Sequence, residues 1–135
     1  MNTTQFEVKT RHRDEMIDIT QRVQQALSDS GVSDGTVTVW IPHTTAGVTV
    51  NENADPAVAH DVLEALDRAV PHDQPFYRHD EGNSAAHVKS SMMGCSTTVI
   101  AAAGRLMLGT WQAIYFCEFD GPRTRRVVVA VMESH

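Results

Sequence analysis

The sequence predicts an α+β fold, an antiparallel β-sheet or sandwich with inserted helices packed on one side, and two observations carry that expectation. The C-terminal third is a succession of β-rich runs cut by the short turns "AGR", "LGT" and "DGPR". Strands joined this tightly run antiparallel, because a parallel pair needs a crossover of about a dozen residues. The middle of the chain carries helix punctuation instead, with Asp55 and Pro56 ahead of an apolar stripe at helical spacing.

Taken in order, "QFEVKT" and "MIDIT" alternate as two short strands around the charged turn "RHRDE". Thr20 is the expected N-cap of a helix that carries Val23, Ala26 and Leu27 on one face and stops at Gly31. "TVTVWIP" and "AGVTVNE" read as two strands, or one bent strand, with His43 at the junction. In the next helix Asp55 caps, Pro56 takes the first position, and Val58, Val62, Leu66 and Ala69 form an apolar stripe. Asn83 or Ser84 caps a shorter helix, "AAHVKSSMM", which Gly94 ends. "TTVIAAA", "RLMLGT", "WQAIYFCEF" and "RRVVVAVM" complete the sheet, with Trp111 expected as a core or interface anchor.

A chain of 135 residues is the size of one domain, so residues 1–135 are read as a single unit with a single site. The net charge of −6 argues against nucleic acid or an anionic membrane as partner, because a negative field repels both. No signal-like or membrane-spanning run is visible, which leads to the expectation of a cytoplasmic protein. Cys95 and Cys117 form no CxxC pair, in keeping with a reducing compartment.

Seven histidines invite a metal reading, but they differ in context. His12, His72 and His135 lie in polar or terminal sequence, and His60 falls on the polar side of its helix. His43 instead projects from a strand end, while His79 in a loop and His87 in the following helix could be folded together, with Asn83 on the helical face of His87. A shared site of His43, His79 and His87 would suit a divalent metal, zinc more than magnesium, which prefers oxygen ligands. Three protein ligands would leave a position for water or substrate. The alternative is three separately satisfied histidines, since no local motif such as HExxH binds them together. Arg123 and Arg125 share a strand face and could grip a phosphate or carboxylate. Equally, they could be a charged hairpin end paired with Glu118 or Asp120. Glu52, Asp55 and Glu118 could support the histidines or simply be solvated. No nucleophile elbow, P-loop or dinucleotide fingerprint is present, and Thr44, Thr45, Ser90 and Ser91 lack an identifiable base.

The strings "HTTAGVTVNENADP", "YRHDEGNSAAHVKSSMMG", "GRLMLGTWQAIYFCEFDGPR" and "RRVVVAVM", in this order, resemble the YjbQ-like family, usually labelled secondary thiamine-phosphate synthase enzyme. The resemblance runs from about Phe6 to Met132 and maps His43, Thr44, Thr45, Asn51, Glu52, Asp55, His79, Asn83, His87, Lys89, Gln112, Glu118 and Arg123 as motif positions. It implies an α+β fold, a homotrimer, and a pocket near subunit boundaries where the motif histidines cluster. It also implies a transferase reaction, the joining of a pyrimidine diphosphate to a thiazole phosphate with release of pyrophosphate. A cation with Arg123, Arg125 and Lys89 would then neutralise the leaving group. On that footing Glu52, Asn83, Lys89, Glu118 and Arg123 are the expected catalytic residues. Thr44, Thr45, Asn51, Gln112, Arg123 and Arg125 are expected to bind a small phosphorylated or anionic metabolite. Two other functions fit the same residues: metal-assisted hydrolysis of such a metabolite, with Glu52 or Glu118 handling the proton, and a non-catalytic trimer that binds metal or anion.

Overall fold

The computed structural model describes residues 1–135 as eight strands and three helices. In chain order they are β1 (Asn2–Lys9), β2 (Glu15–Asp18), α1 (Thr20–Ser30), β3 (Gly35–Trp40), β4 (Ala46–Glu52), α2 (Pro56–Ala69) and α3 (Ser84–Met93). The remainder are β5 (Ser96–Ala102), β6 (Arg105–Leu106), β7 (Gln112–Glu118) and β8 (Thr124–Glu133). The strands form a five-stranded sheet, β1-β8-β3-β5-β6, and a three-stranded sheet, β2-β7-β4. All pairs are antiparallel, as the turns predicted.

The main core lies between the sheets, where period-two alternation turns Val37, Val39, Val127, Val129 and Val131 of the large sheet toward Val48, Ile114 and Phe116 of the small one. Helix α1 adds Val23, Ala26 and Leu27 to this same core. The opposite face of the small sheet, with Ala113, Tyr115 and Cys117, packs against Ala86 and Met93 of α3 and Leu63 and Leu66 of α2. The fold is thus α+β, as expected, with α2 and α3 on one side; α1 belongs to the inter-sheet core instead.

Local signals account for α2. The Asp55 carboxylate accepts the Ala57 amide hydrogen bond at 2.9 Å, and Pro56 occupies the first turn, where its missing N–H costs nothing. Gly31 ends α1 in the left-handed conformation, with φ of 74°, a geometry that favours glycine. Other expectations need correction. Thr20 is not a cap: its hydroxyl accepts the Ile114 amide and pins α1 to β7, while Asp18 accepts the Thr20 amide. "RLMLGT" contributes only the two-residue β6. Trp111 is 62% exposed and anchors no core of this chain. The "DGPR" connection is not a hairpin, because β7 and β8 lie in different sheets. That crossing, like the "HTT" crossing from β3 to β4, carries the chain from one sheet to the other and places both connectors at one end of the sandwich.

Candidate functional site

At that end a polar cavity of about 660 Å³ opens between the β3–β4 connector, the β7–β8 connector and the start of α3. His43, Thr44 and Thr45 come from the first, Asp120, Arg123 and Arg125 from the second and the strand after it, and Asn83 and His87 from α3, with His79 from the preceding loop. The three histidines singled out in the sequence therefore line one cavity. Cys95, Glu81 and Trp40 also contribute to its wall.

Its floor is an ion pair built into the core. Glu118 is fully buried, and its carboxylate accepts from Arg125 Nε at 2.8 Å and, through the other oxygen, from Arg125 Nη2. Thr10 Oγ1 and the Asp120 amide donate to the same carboxylate, each at 2.9 Å. Arg125 Nη2 also donates to Thr45 Oγ1 at 2.8 Å. Every lone-pair direction of the buried acid is occupied, which is what keeps a charge tolerable in a core. Arg125 is almost wholly buried, yet it lines the cavity, and its Nη1 makes no hydrogen bond within the chain. Period-two alternation explains the choice: Arg125 points inward from β8, and Arg126 points out.

Arg123 completes the cationic wall less freely. Its Nε donates to the Asp120 carbonyl and its Nη2 to the Asp120 carboxylate, both at 2.9 Å. Asp120 Oδ2 also accepts from Asn83 Nδ2 at 2.9 Å, so Asp120 ties the arginine to the start of α3. Because Asp120 can only accept from it, the amide of Asn83 is oriented, and its Oδ1 is left buried without a partner. The sequence cast Asp120 only as a turn former and possible ion-pair partner; nothing in the local pattern linked it to Asn83.

The rings of His79 and His87 stand edge to face with centroids 5.2 Å apart. His43 is held elsewhere, its Nε2 accepting the Arg126 backbone N–H at 2.9 Å. Burial pushes the His43 imidazole below the ordinary histidine value, and the Arg125 charge acts in the same direction. No group of three or more histidine, cysteine, aspartate or glutamate side chains stands together as a metal cage. The donor set therefore fits a metal only in part. His79 and His87 offer two ring nitrogens, whereas Asn83 Oδ1 is sealed from solvent and the lone pair of His43 Nε2 is already engaged.

Four expected site residues are not brought to this cavity. Lys89 is buried, with its ammonium bound to Asp14 at 2.6 Å and Asp67 at 2.9 Å; it ties α3 to α2 and to the β1–β2 turn. Asn51, Glu52 and Gln112 lie at the other end of the small sheet, where Glu52 pairs with Gln112, while Ala46 pairs with Glu118 at the cavity end. Six residues of strand separate the two ends by about 20 Å. Gln112 instead accepts the Gly109 amide, and Asn51 the Glu52 amide. Glu118 reaches the site only as the buried partner of Arg125. Asp55 serves as the cap of α2.

No helix is long and apolar enough to cross a membrane. Comparison with known proteins gives a uniform answer. The family model described as "UPF0047 protein YjbQ-like" matches residues 4–134. The UPF0047 protein YugU of Bacillus subtilis is 54% identical over 127 residues, covering 94% of this chain and 96% of that protein. A UPF0047 protein of Methanocaldococcus jannaschii is 50% identical over 127 residues, covering 94% and 91%. Among solved structures, a YjbQ/UPF0047 family protein of Clostridium acetobutylicum superposes with a TM-score of 0.94 at 53% identity, covering 96% of this chain and 99% of that one. A protein of Aeropyrum pernix gives 0.94 at 38% identity, with 99% and 100% covered. Matched along nearly its whole length by family, relatives and structures alike, the chain belongs to the YjbQ-like UPF0047 family.

Proposed function

We propose that the cavity binds a small phosphorylated metabolite and that the protein is an enzyme acting on it, by a transfer of the thiamine-phosphate synthase type. One observation carries this reading: Arg125, locked by Glu118 and Thr45 with Nη1 uncommitted, lines a polar cavity that Arg123 also lines. A donor preorganised in this way stabilises charge developing on a departing pyrophosphate without reorganising during the reaction. Arg123 orients the substrate, and Asn83 and Asp120 fix Arg123. With Glu118 and Lys89 committed to ion pairs and Glu52 remote, proton transfer falls to the cavity imidazoles.

A divalent metal belongs to this proposal, zinc before magnesium, with His79 and His87 as the residues that would hold it. Bound there, it would supply charge neutralisation for the phosphate oxygens. The imidazole pair also favours a second reading, metal-assisted hydrolysis of the same class of substrate. We further propose, from the family resemblance, assembly as a homotrimer. The outer face of the large sheet is uncovered and exposes Trp40, Ile100 and Met132 at 47%, 58% and 54%, a patch that a second copy could bury.

The test is to incubate the protein with a pyrimidine diphosphate, with and without a thiazole phosphate, and to follow pyrophosphate and inorganic phosphate. Pyrophosphate release that needs the thiazole acceptor and is lost in Arg123→Ala and His87→Ala supports transfer. Release without acceptor, removed by a chelator and restored by zinc but not magnesium, supports hydrolysis. Absence of turnover with phosphate still bound would leave an anion-binding module, and light scattering decides the trimer.

A further inference from the structure

We propose that His43 is a neutral hydrogen-bond donor to the ligand's oxyanion, acting through Nδ1–H in the cavity that Arg125 also lines, and not a metal ligand. This assignment rests on reading the cavity as an anion site, and it specifies how the anion is seated.

The argument is one of lone pairs. A backbone amide can only donate, so the 2.9 Å bond from Arg126 N–H requires an unprotonated Nε2 on His43. A neutral imidazole that accepts at Nε2 carries its hydrogen on Nδ1. Nδ1 makes no hydrogen bond within the chain, yet it is not among the sealed, unsatisfied atoms, so this N–H reaches open space. Half-burial and the adjacent Arg125 charge hold the ring neutral, in the donor form fixed by Arg126.

Location adds a second constraint. His43 and Arg125 line the 660 Å³ cavity and also a neighbouring one of about 260 Å³, walled in addition by Gln5, Glu7 and Arg126. The two residues therefore form the partition between the cavities. An oxyanion seated there meets one cationic and one neutral donor, both immobilised from behind, Arg125 by Glu118 and His43 by the backbone of β8. The remaining ring pair, His79 and His87, is left free for a metal.

Nitrogen-15 NMR of the ligand-free protein labelled at histidine reads the tautomer directly. The expected spectrum has His43 Nε2 unprotonated and Nδ1 protonated near neutral pH; a protonated Nε2 overturns the assignment. Titration with inorganic phosphate is expected to show affinity about tenfold or more weaker in His43→Ala, the loss of one hydrogen bond to a charged group. His43→Asn, whose amide N–H can stand near the Nδ1 position, is expected to recover most of that loss. Zinc stoichiometry is expected to be equal in wild type and His43→Ala. Loss of a zinc equivalent on removing His43 overturns the proposal. Phosphate bound equally by wild type and His43→Ala overturns this assignment alone, whereas wild-type protein that takes up no phosphate overturns the cavity reading together with it. Should His43→Ala not fold, the wild-type tautomer decides.

Discussion

The Glu118 carboxylate grips the Arg125 guanidinium through both of its oxygens inside the core, bridging the small sheet to the large one. Removing one member of a buried pair leaves the other charge without compensation, at a cost of about 3–5 kcal/mol. Glu118→Ala is therefore expected to lower unfolding free energy in urea by that amount. Glu118→Gln, which keeps the shape and loses the charge, should fall between the two. A Glu118→Gln protein of unchanged stability would show that the acid is not the anchor of Arg125.

Lys89 makes a contrasting prediction. Its ammonium satisfies Asp14 and Asp67 and approaches the Phe119 ring at 6.0 Å, and none of these groups lines the cavity. Lys89→Met should cost about 1–3 kcal/mol through lost charge-assisted hydrogen bonds. Phosphate affinity, measured on the folded fraction, should stay within a factor of about two. A selective loss of binding at full stability would return Lys89 to the site.

Acid should weaken the fold in two separate windows. His43 has its protonation suppressed in the native state, so below the ordinary histidine value near 6.5 the unfolded chain binds the extra proton and stability falls with pH. Asp67 is held below the usual carboxylate range first by its hydrogen bond from Lys89; its contribution is present above about 4 and fades as pH drops further. Urea midpoints measured from pH 7.5 to 3 should thus show two descents. His43→Asn should remove the upper one, and Asp67→Asn should shrink the lower.

The two thiols should separate cleanly. Burial pushes the Cys117 thiol up to about 12, whereas Cys95 is exposed at the wall of the cavity. Alkylation of native protein should add one label per chain, at Cys95, as read by mass spectrometry of peptides. Saturating phosphate should slow that reaction. An equal rate at both cysteines would contradict the packing of β7 against α3.

What could be read in the sequence was what neighbouring residues decide. The Asp55-Pro56 start of α2 and the Gly31 stop of α1 are settled within a turn or two of chain, so their residue types announce them. Thr20 and Asn83 have the chemistry of caps but spend their side chains on Ile114 and Asp120, partners 94 and 37 residues away. Burial of Lys89 and Glu118 was hidden for a similar reason, since charged residues default to the surface and only their distant partners make an interior place tolerable. The convergence of His43, His79 and His87 on one cavity was implied by the family resemblance and not by their spacing, while the diversion of His43 toward Arg126 depends on two connectors meeting in space. Tight turns predicted strand direction correctly and misled about neighbours, because two of them change sheets.

The pairing of β1 with β8, which sets Asn2 opposite Val131, has a consequence for biosynthesis. Emerging from the ribosome, β1 has to wait for the distant β8 before it acquires a hydrogen-bonding neighbour, and β8 must also slot between β1 and β3. Completion of the larger sheet is thereby postponed until β8 has been synthesised, and contacts of such long sequence separation make for slow maturation. A nascent chain arrested before β8 would carry two orphaned strand edges, the species on which holding chaperones act.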